Sequence, residues 1–323
     1  MRALVTGGNG FIGRCLVRAL LRMPELSALQ IVDNLSNSNK DEGLAALLQD
    51  SRVRFAAMSV RDFEPCEQFT HIFHLASPVG PAGILDYAGR MAAQIIGDTS
   101  KMAHYALAMG AELLDVSTSE VYGRDPGDSA QAEDIDKIVP SKYTVRLEYG
   151  VAKLACEVSL VNLARAEGLC ANIVRPFNIV GPGQKGEVGF VLPRFVQQAL
   201  AEQPLTIFGD GDQKRCFTSV DDIVAAILAV TGSGVSGEIF NIGNPANICS
   251  IRELAEMVVE LSRSDSSLSY VDPKTIYGPF YEEAWNKIPD ISKIVQDIGW
   301  QPRRSLHDIV GEVIAVERGL QCL

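Results

Sequence analysis

The chain has 323 residues, 47% hydrophobic and 21% charged, enough for a sizeable core in one large domain or two intimately joined ones. A net charge of −11 argues against a nucleic-acid partner, whose phosphates call for clustered Lys and Arg, but leaves room for a small anion. Seven cysteines, an odd number with no CxxC pair, point to reduced thiols and no metal site, and no apolar run is long enough for a bilayer span or a signal peptide; the expectation is a cytoplasmic protein.

Short β-branched runs alternate with longer amphipathic stretches through the first half. "RALVTG" (2–7) reads as a strand, "FIGRCLVRALLRM" (11–23) as a helix and "LQIVDN" (29–34) as a second strand. "VRFAAM" (53–58), "HIFHLAS" (71–77) and "LLDVST" (113–118) are further strands, with a long helix at 88–111 before the last. A helix at 148–168 leads into the strand "CANIVRP" (170–176). Such alternation predicts an α/β fold, a doubly wound parallel sheet with helices on both faces, whose ligands bind beyond the carboxyl ends of the strands.

After residue 177 the pattern changes. "NIVGPGQKGEVG" (178–189) reads as a Gly-rich loop, 190–203 as a helix, and 205–222 as a strand and a turn. "IVAAILAV" (223–230) and "EIFNIGN" (238–244) read as a helix and a strand returning to the main sheet, and the rest as helices separated by Pro-containing loops. The expected organisation is discontinuous. A dinucleotide domain takes 1–177 and about 217–248, and a smaller α/β substrate domain about 178–216 and 249–323.

"TGGNGFIG" sets Gly7, Gly10 and Gly13 between the first strand and first helix. Glycines there permit a tight turn and let backbone amides approach a pyrophosphate at the helix N-terminus. Asp33 ends the next strand, twenty residues beyond Gly13, where a carboxylate accepts from both ribose hydroxyls and repels a 2′-phosphate. The expected cofactor is therefore NAD rather than NADP. Phe11, Ile12, Asn34, Ser59, Val60, Leu75, Ala76 and Ser77 are the further candidate cofactor contacts. His74 reads as a packed strand-end histidine without a catalytic role.

"EYGVAK" places Tyr149 and Lys153 one helical turn apart on one face. A nearby ammonium and the positive nicotinamide are expected to lower the Tyr149 pKa, so that its phenolate can take a proton from a sugar hydroxyl. Both side chains also count among the candidate cofactor contacts. In "DVSTSEVYGRD" (115–125), Thr118 is placed to hold the same oxygen by a hydrogen bond.

Together, the GxxGxxG run, Asp33, "HLAS", "STSEVYG", "YGVAK", "RPFN" and "SVDD" resemble the extended short-chain dehydrogenase/reductase family that modifies nucleotide sugars, over almost the whole chain. The resemblance implies a Rossmann domain for NAD and a smaller domain for a nucleoside-diphosphate sugar. It also implies a homodimer through helices near 88–109 and 146–166, and no nucleic acid or membrane partner. Carried over by position, it makes Thr118, Tyr149 and Lys153 the catalytic triad, with Asn178 and Arg215 as substrate contacts. The chain departs from the family pattern at three places. Ser59 replaces an acidic residue, Lys287 stands where an Arg is common, and the Pro before the YxxxK run is missing.

Members of this family oxidise C4 of the sugar and diverge in what the ketone enables. Glu120, with Ser119 beside it in place of a stronger acid, resembles the UDP-glucuronate decarboxylases more than simple epimerases, and both count as candidate site residues with Lys287. The leading expectation is decarboxylation of a UDP-hexuronic acid, with a 4-epimerase of a UDP-sugar or UDP-uronate held nearly level. A 4,6-dehydratase comes third, and a non-catalytic dinucleotide-binding sensor is the reading from another class. Specificity is expected in 77–89, 183–193 and around Tyr277 to Lys287.

Overall fold

The computed structural model describes residues 1–323 apart from 37–40, 81–82, 124–128, 187–188, 279–280, 282–285 and 320–323. The first half runs β1 (Arg2–Thr6), α1 (Phe11–Leu21), β2 (Ala28–Asp33), α2 (Glu42–Leu47), β3 (Val53–Ala57), β4 (His71–His74), α3 (Met91–Met109), β5 (Glu112–Val116), α4 (Val145–Glu167) and β6 (Ala171–Pro176). The second half opens with β7 (Ile179–Val180), α5 (Val191–Leu200), β8 (Leu205–Phe208), β9 (Lys214–Cys216), β10 (Thr218–Ser219), α6 (Val220–Thr231) and β11 (Ile239–Ile242). It closes with β12 (Ile248–Ser250), α7 (Ile251–Ser262), β13 (Leu268–Val271), α8 (Lys274–Tyr277), α9 (Ser292–Ile298) and α10 (Leu306–Glu317).

Seven parallel strands form the main sheet in the order β11-β6-β5-β4-β1-β2-β3. Leu16, Val17 and Leu20 of α1 and Ile223, Ile227 and Val230 of α6 cover one face. Met102, Ala103 and Ala106 of α3 and Leu160 of α4 cover the other. This is the expected Rossmann-type arrangement. The chain reverses its direction of travel across the sheet between β1 and β4, and a parallel sheet opens its ligand crevice at such a reversal. A separate apolar cluster joins α5, β8, α7 and α10 through Phe195, Ile207, Leu254 and Val310.

Several elements depart from the sequence expectation. The Gly-rich stretch after 177 contains β7, whose β-branched Ile179 and Val180 pair with β10. The C-terminal part carries β12 and β13, where only helices and loops are expected; β13 lies parallel to β8, and its "LSYV" is only partly buried, so it lacks the apolar signal of a core strand. The short helix α2, capped by the Asp41 side chain, lies in a segment with no expected element.

A buried polar network braces the sheet against α4. Arg175 grips both oxygens of Glu157 at 2.9 and 2.6 Å, and Ser117 donates to the same carboxylate at 2.5 Å. Arg175 also donates to the Tyr122 hydroxyl, which donates to Asn241. Removing one partner of a fully buried ion pair strands the other charge. Glu157→Gln is therefore expected to cost about 3 kcal/mol of stability in urea unfolding; a loss below ~1 kcal/mol would mean that the pair does not brace the fold.

Candidate active site

The glycine loop is shaped by contacts that exclude side chains. Gly7 has φ +68°, and a Cβ there would lie 2.8 Å from the Ala76 nitrogen. A Cβ on Gly13 would fall 2.2 Å from the Gly7 carbonyl oxygen, so the first turn of α1 can sit against the loop only without one. Gly10 caps α1, whose first turn carries no acid and so leaves its positive end unopposed. At the end of β2, Asp33 accepts from the amides of Asn9 (3.0 Å) and Leu35 (2.8 Å), which fixes the carboxylate at the mouth of the crevice. A loop without side chains that permits close approach, a helix N-terminus and a fixed carboxylate beyond β2 are the set a dinucleotide needs, so these residues fit NAD.

One large cleft runs from this loop across the sheet. Gly7, Gly10, Phe11, Ile12, Gly13, Asp33 and Asn34 line its first part. Ser59, Val60, Leu75, Ala76 and Ser77 line the next, and Thr118, Ser119, Glu120, Tyr149, Asn178 and Arg215 its far part. Only Lys153 and Lys287, of the residues singled out in the sequence, do not border the cleft. Each stands directly behind a residue that does. His74 is buried, with Nδ1 2.7 Å from the Thr6 hydroxyl, and burial first and Lys153 second bring its pKa down to about 3; it is a neutral packed residue, as expected.

Thr118 closes β5 and caps the 3₁₀ turn Ser119–Tyr122, its hydroxyl accepting from the Glu120 amide at 3.2 Å. Glycines let α4 close on this turn. A Cβ on Gly150 would come within 2.8 Å of the Glu120 carbonyl oxygen, and one on Gly123 within 1.7 Å of the Ile138 carbonyl oxygen. The Tyr149 phenol consequently reaches the hydroxyls of Thr118 and Ser77. Lys153 is buried and donates to the Val116 carbonyl at 2.8 Å. In the chain itself burial raises the Tyr149 pKa, outweighing the downward pull of Lys153 and of the Thr118 and Ser77 hydrogen bonds; the lowering expected from the sequence includes the nicotinamide charge as well.

Glu120 sits among cations. Arg146 Nη1 lies 2.6 Å from its Oε1, and Lys287 Nζ contacts the same oxygen. Arg215 pairs in register with Lys287 and adds its charge nearby. Burial would raise the Glu120 pKa, but Arg146, Lys287 and Arg215 hold it down to about 2. Burial in turn brings Lys287 down to about 8, against the pull of Glu120. Arg146, Lys287 and Arg215 thus gather around Glu120 at this end of the cleft. Asn178, on the same wall, has φ +30°, a left-handed backbone held by Nδ2 donating to the Cys216 carbonyl and by its own carbonyl accepting from Thr218.

Sequence reasoning missed Arg146, although its position three residues before Tyr149 puts it on the same helical face. It also missed Gln184, which lines the cleft from the loop after β7 and donates to the Ile179 carbonyl. Of the stretches expected to govern specificity, residues 81–82, 187–188, 279–280 and 282–285 lie outside those described, as does the side chain of Tyr277. Among the described residues no cluster of three or more His, Cys, Asp or Glu could hold a metal ion, and no helix is long and apolar enough to cross a membrane.

The family model described as "Epimerase: NAD dependent epimerase/dehydratase family" matches residues 3–243. The UDP-N-acetyl-alpha-D-glucosaminuronate decarboxylase of Bacillus cytotoxicus is 32% identical over 97% of this chain and 96% of its own length. UDP-glucuronic acid decarboxylase 1 of Arabidopsis thaliana is 32% identical over 95% of this chain and 68% of its own. Among solved structures, the UDP-glucuronic acid 4-epimerase of Bacillus cereus with UDP-glucuronic acid and NAD superposes with a TM-score of 0.86 at 26% identity, covering 99% of this chain and 100% of that one. The dTDP-glucose 4,6-dehydratase DesIV of Streptomyces venezuelae with NAD and TYD bound gives 0.85 at 27% identity, covering 99% and 97%. The cofactor is NAD. If Asp33 receives the ribose hydroxyls, Asp33→Ala will weaken NAD binding at least about tenfold in calorimetric titration, because charge-assisted hydrogen bonds are lost; unchanged affinity would remove Asp33 from the site.

Proposed function

We infer that this chain, which belongs to the NAD dependent epimerase/dehydratase family, decarboxylates a UDP-hexuronic acid such as UDP-glucuronate. The observation that carries the reading is the cationic end of the cleft. Arg146 and Arg215 line it beside Glu120, with Lys287 behind, an arrangement suited to a substrate bearing a C6 carboxylate beside a diphosphate. The decarboxylase names of the relatives support the same choice.

Held by the Gly7–Gly13 loop and Asp33, NAD would supply the acceptor for the C4 hydride and the donor that restores it. Tyr149 takes the proton of the C4 hydroxyl, Thr118 holds that oxygen in line, and Lys153 supplies the positive charge behind the phenol that favours its ionised form. The resulting 4-keto uronate is a β-keto acid. Its C5–C6 bond breaks, carbon dioxide leaves, and the electron pair passes into the C4 carbonyl as an enolate, which is protonated at C5 before the ketone is reduced. Glu120, held down to about 2, is ionised at neutral pH and too weak a base to pull a proton from C5. It serves instead to fix Arg146 and Lys287. That weak basicity sets dehydration, which needs a base at C5, below decarboxylation.

A UDP-uronate 4-epimerase would use the same triad and the same cations, and the Bacillus cereus neighbour supports it as the second reading. A chain that only sensed the dinucleotide would have no use for Tyr149 or for the cationic end of the cleft. The remaining parts of the proposal follow the family resemblance. The organisation is a dinucleotide unit over 1–177 and about 217–248 with a substrate unit over about 178–216 and 249–323. The six described cysteines are unpaired, in keeping with a cytoplasmic setting. The chain pairs as a homodimer through α3 and α4, where Ile96, Val151 and Val158 are exposed.

Incubation with UDP-glucuronate and catalytic NAD is expected to release carbon dioxide and yield a UDP-pentose, seen by NMR. UDP-galacturonate without carbon dioxide would instead establish the epimerase, and no reaction with any UDP-uronate or UDP-hexose would overturn both. Tyr149→Phe should lower turnover at least about 100-fold while leaving NAD bound. In sedimentation, the wild type is expected as a dimer and Val151→Glu/Val158→Glu as a monomer; a wild-type monomer would sink the pairing.

A further inference from the structure

The row of side chains crossing the end of the sheet holds a carboxyl group for which neither the fold nor the cleft has accounted. Thr6, His74, Asp115 and Ile173 are register partners on β1, β4, β5 and β6, so their side chains share the face covered by α3 and α4. Asp115 is completely buried there, and neither of its oxygens has a hydrogen-bond partner. An ionised group so placed costs several kcal/mol unless an opposite charge compensates it or it takes up a proton, and burial raises the Asp115 pKa against the pull of Lys153.

The charges of this layer can be counted. Its buried cations are Lys153 and Arg175, and its buried carboxylates Asp115, Glu157 and, on α3, Asp98, whose charged neighbours are Arg61, Lys101 and Asp62 instead. Arg175 occupies both oxygens of Glu157, with Ser117 as a third partner, so that pair is closed. Lys153 donates to the neutral Val116 carbonyl, next in sequence to Asp115. The two charges left over are Asp115 and Lys153. We propose that Asp115 is the internal counter-ion of Lys153, a positioning residue that keeps the ammonium charged behind Tyr149. This rests on the reading of Tyr149 and Lys153 given above and deepens it.

The groups facing Asp115 are consistent with this pairing. Lys153, Cys156 and Glu157 approach it from α4, His74 is its register partner on β4, and β6 presents Ile173. Lys153 is the only cation among them, since His74 is neutral and Cys156 is held in its thiol form by burial. Burial works to strip the proton from Lys153, yet its pKa is raised, with Asp115 the foremost opposing charge and Tyr149 the next.

Two measurements test the pairing. Asp115→Asn and Lys153→Met should each lower the thermal midpoint, and the double variant should melt above either single one, because it buries no uncompensated charge. A double variant that melts below both would overturn the proposal, and so would one that fails to fold if Asp115→Asn alone fails. The second measurement is the pH profile of kcat/KM. A buried lysine without its counter-ion loses its proton earlier, so the alkaline limb of Asp115→Asn should move down by at least ~1 pH unit from the wild type. An unmoved limb, with only the rate scaled, would reduce Asp115 to a packing residue. Tyr149→Phe separates the failures. If it retains turnover, the triad reading falls and this proposal with it; if it is inactive while the Asp115→Asn limb stays put, only the counter-ion fails.

Discussion

Lys153 donates to the Val116 carbonyl across 2.8 Å, and this single buried contact ties the middle of α4 to the last residue of β5. The far half of the cleft depends on it. Thr118 follows Val116 by two residues, and Tyr149 precedes Lys153 by one helical turn, so the tie brings hydroxyl and phenol together from opposite sides. Gly150 makes the approach possible by leaving the Glu120 carbonyl room against the helix. The Arg175–Glu157 pair then fixes the helix one turn further on, with Ser117 bonded to the same carboxylate. A strand end and a helix turn thus become one surface.

Electrostatics divides that surface into two regions of opposite character. Around Tyr149 and Lys153 burial is the larger influence on the phenol. Around Glu120 charge prevails, because Arg146 and Lys287 share one carboxylate oxygen while Arg215 stands beside them. A glutamate in a less charged setting would be a plausible base. Here the same residue is an anchor, since Arg146, Lys287 and Arg215 together outweigh the burial that would raise its pKa. The chemistry available to Glu120 is therefore set by residues 26 and 167 positions away, Arg146 and Lys287.

The legible parts of this protein are those whose physics is local. The glycines of "TGGNGFIG", Asp33 at a strand end, and Tyr149 and Lys153 at helical spacing all announce themselves because turn geometry and the helix repeat act over a few residues. The same locality explains the misses. β13 is a strand by pairing with β8 rather than by its own pattern, and Arg146 reads as an ordinary helical charge until Glu120 stands opposite. The burial that raises the Tyr149 pKa in the chain itself is not legible in the spacing, because only packing supplies it.

Alone, the sequence determined the parallel Rossmann-type sheet, the NAD site and the pairing of a hydroxyl, a phenol and an ammonium in one constellation, since periodicity and short-range spacing carry that information. Only the tertiary structure decided how those groups are charged. It placed Lys287 behind Glu120, set Asp115 beside Lys153, and closed Glu157 onto Arg175, contacts between segments distant in the chain. The physical reason is that an ionisable group takes its character from the charges and the desolvation around it, and both are properties of the packed chain.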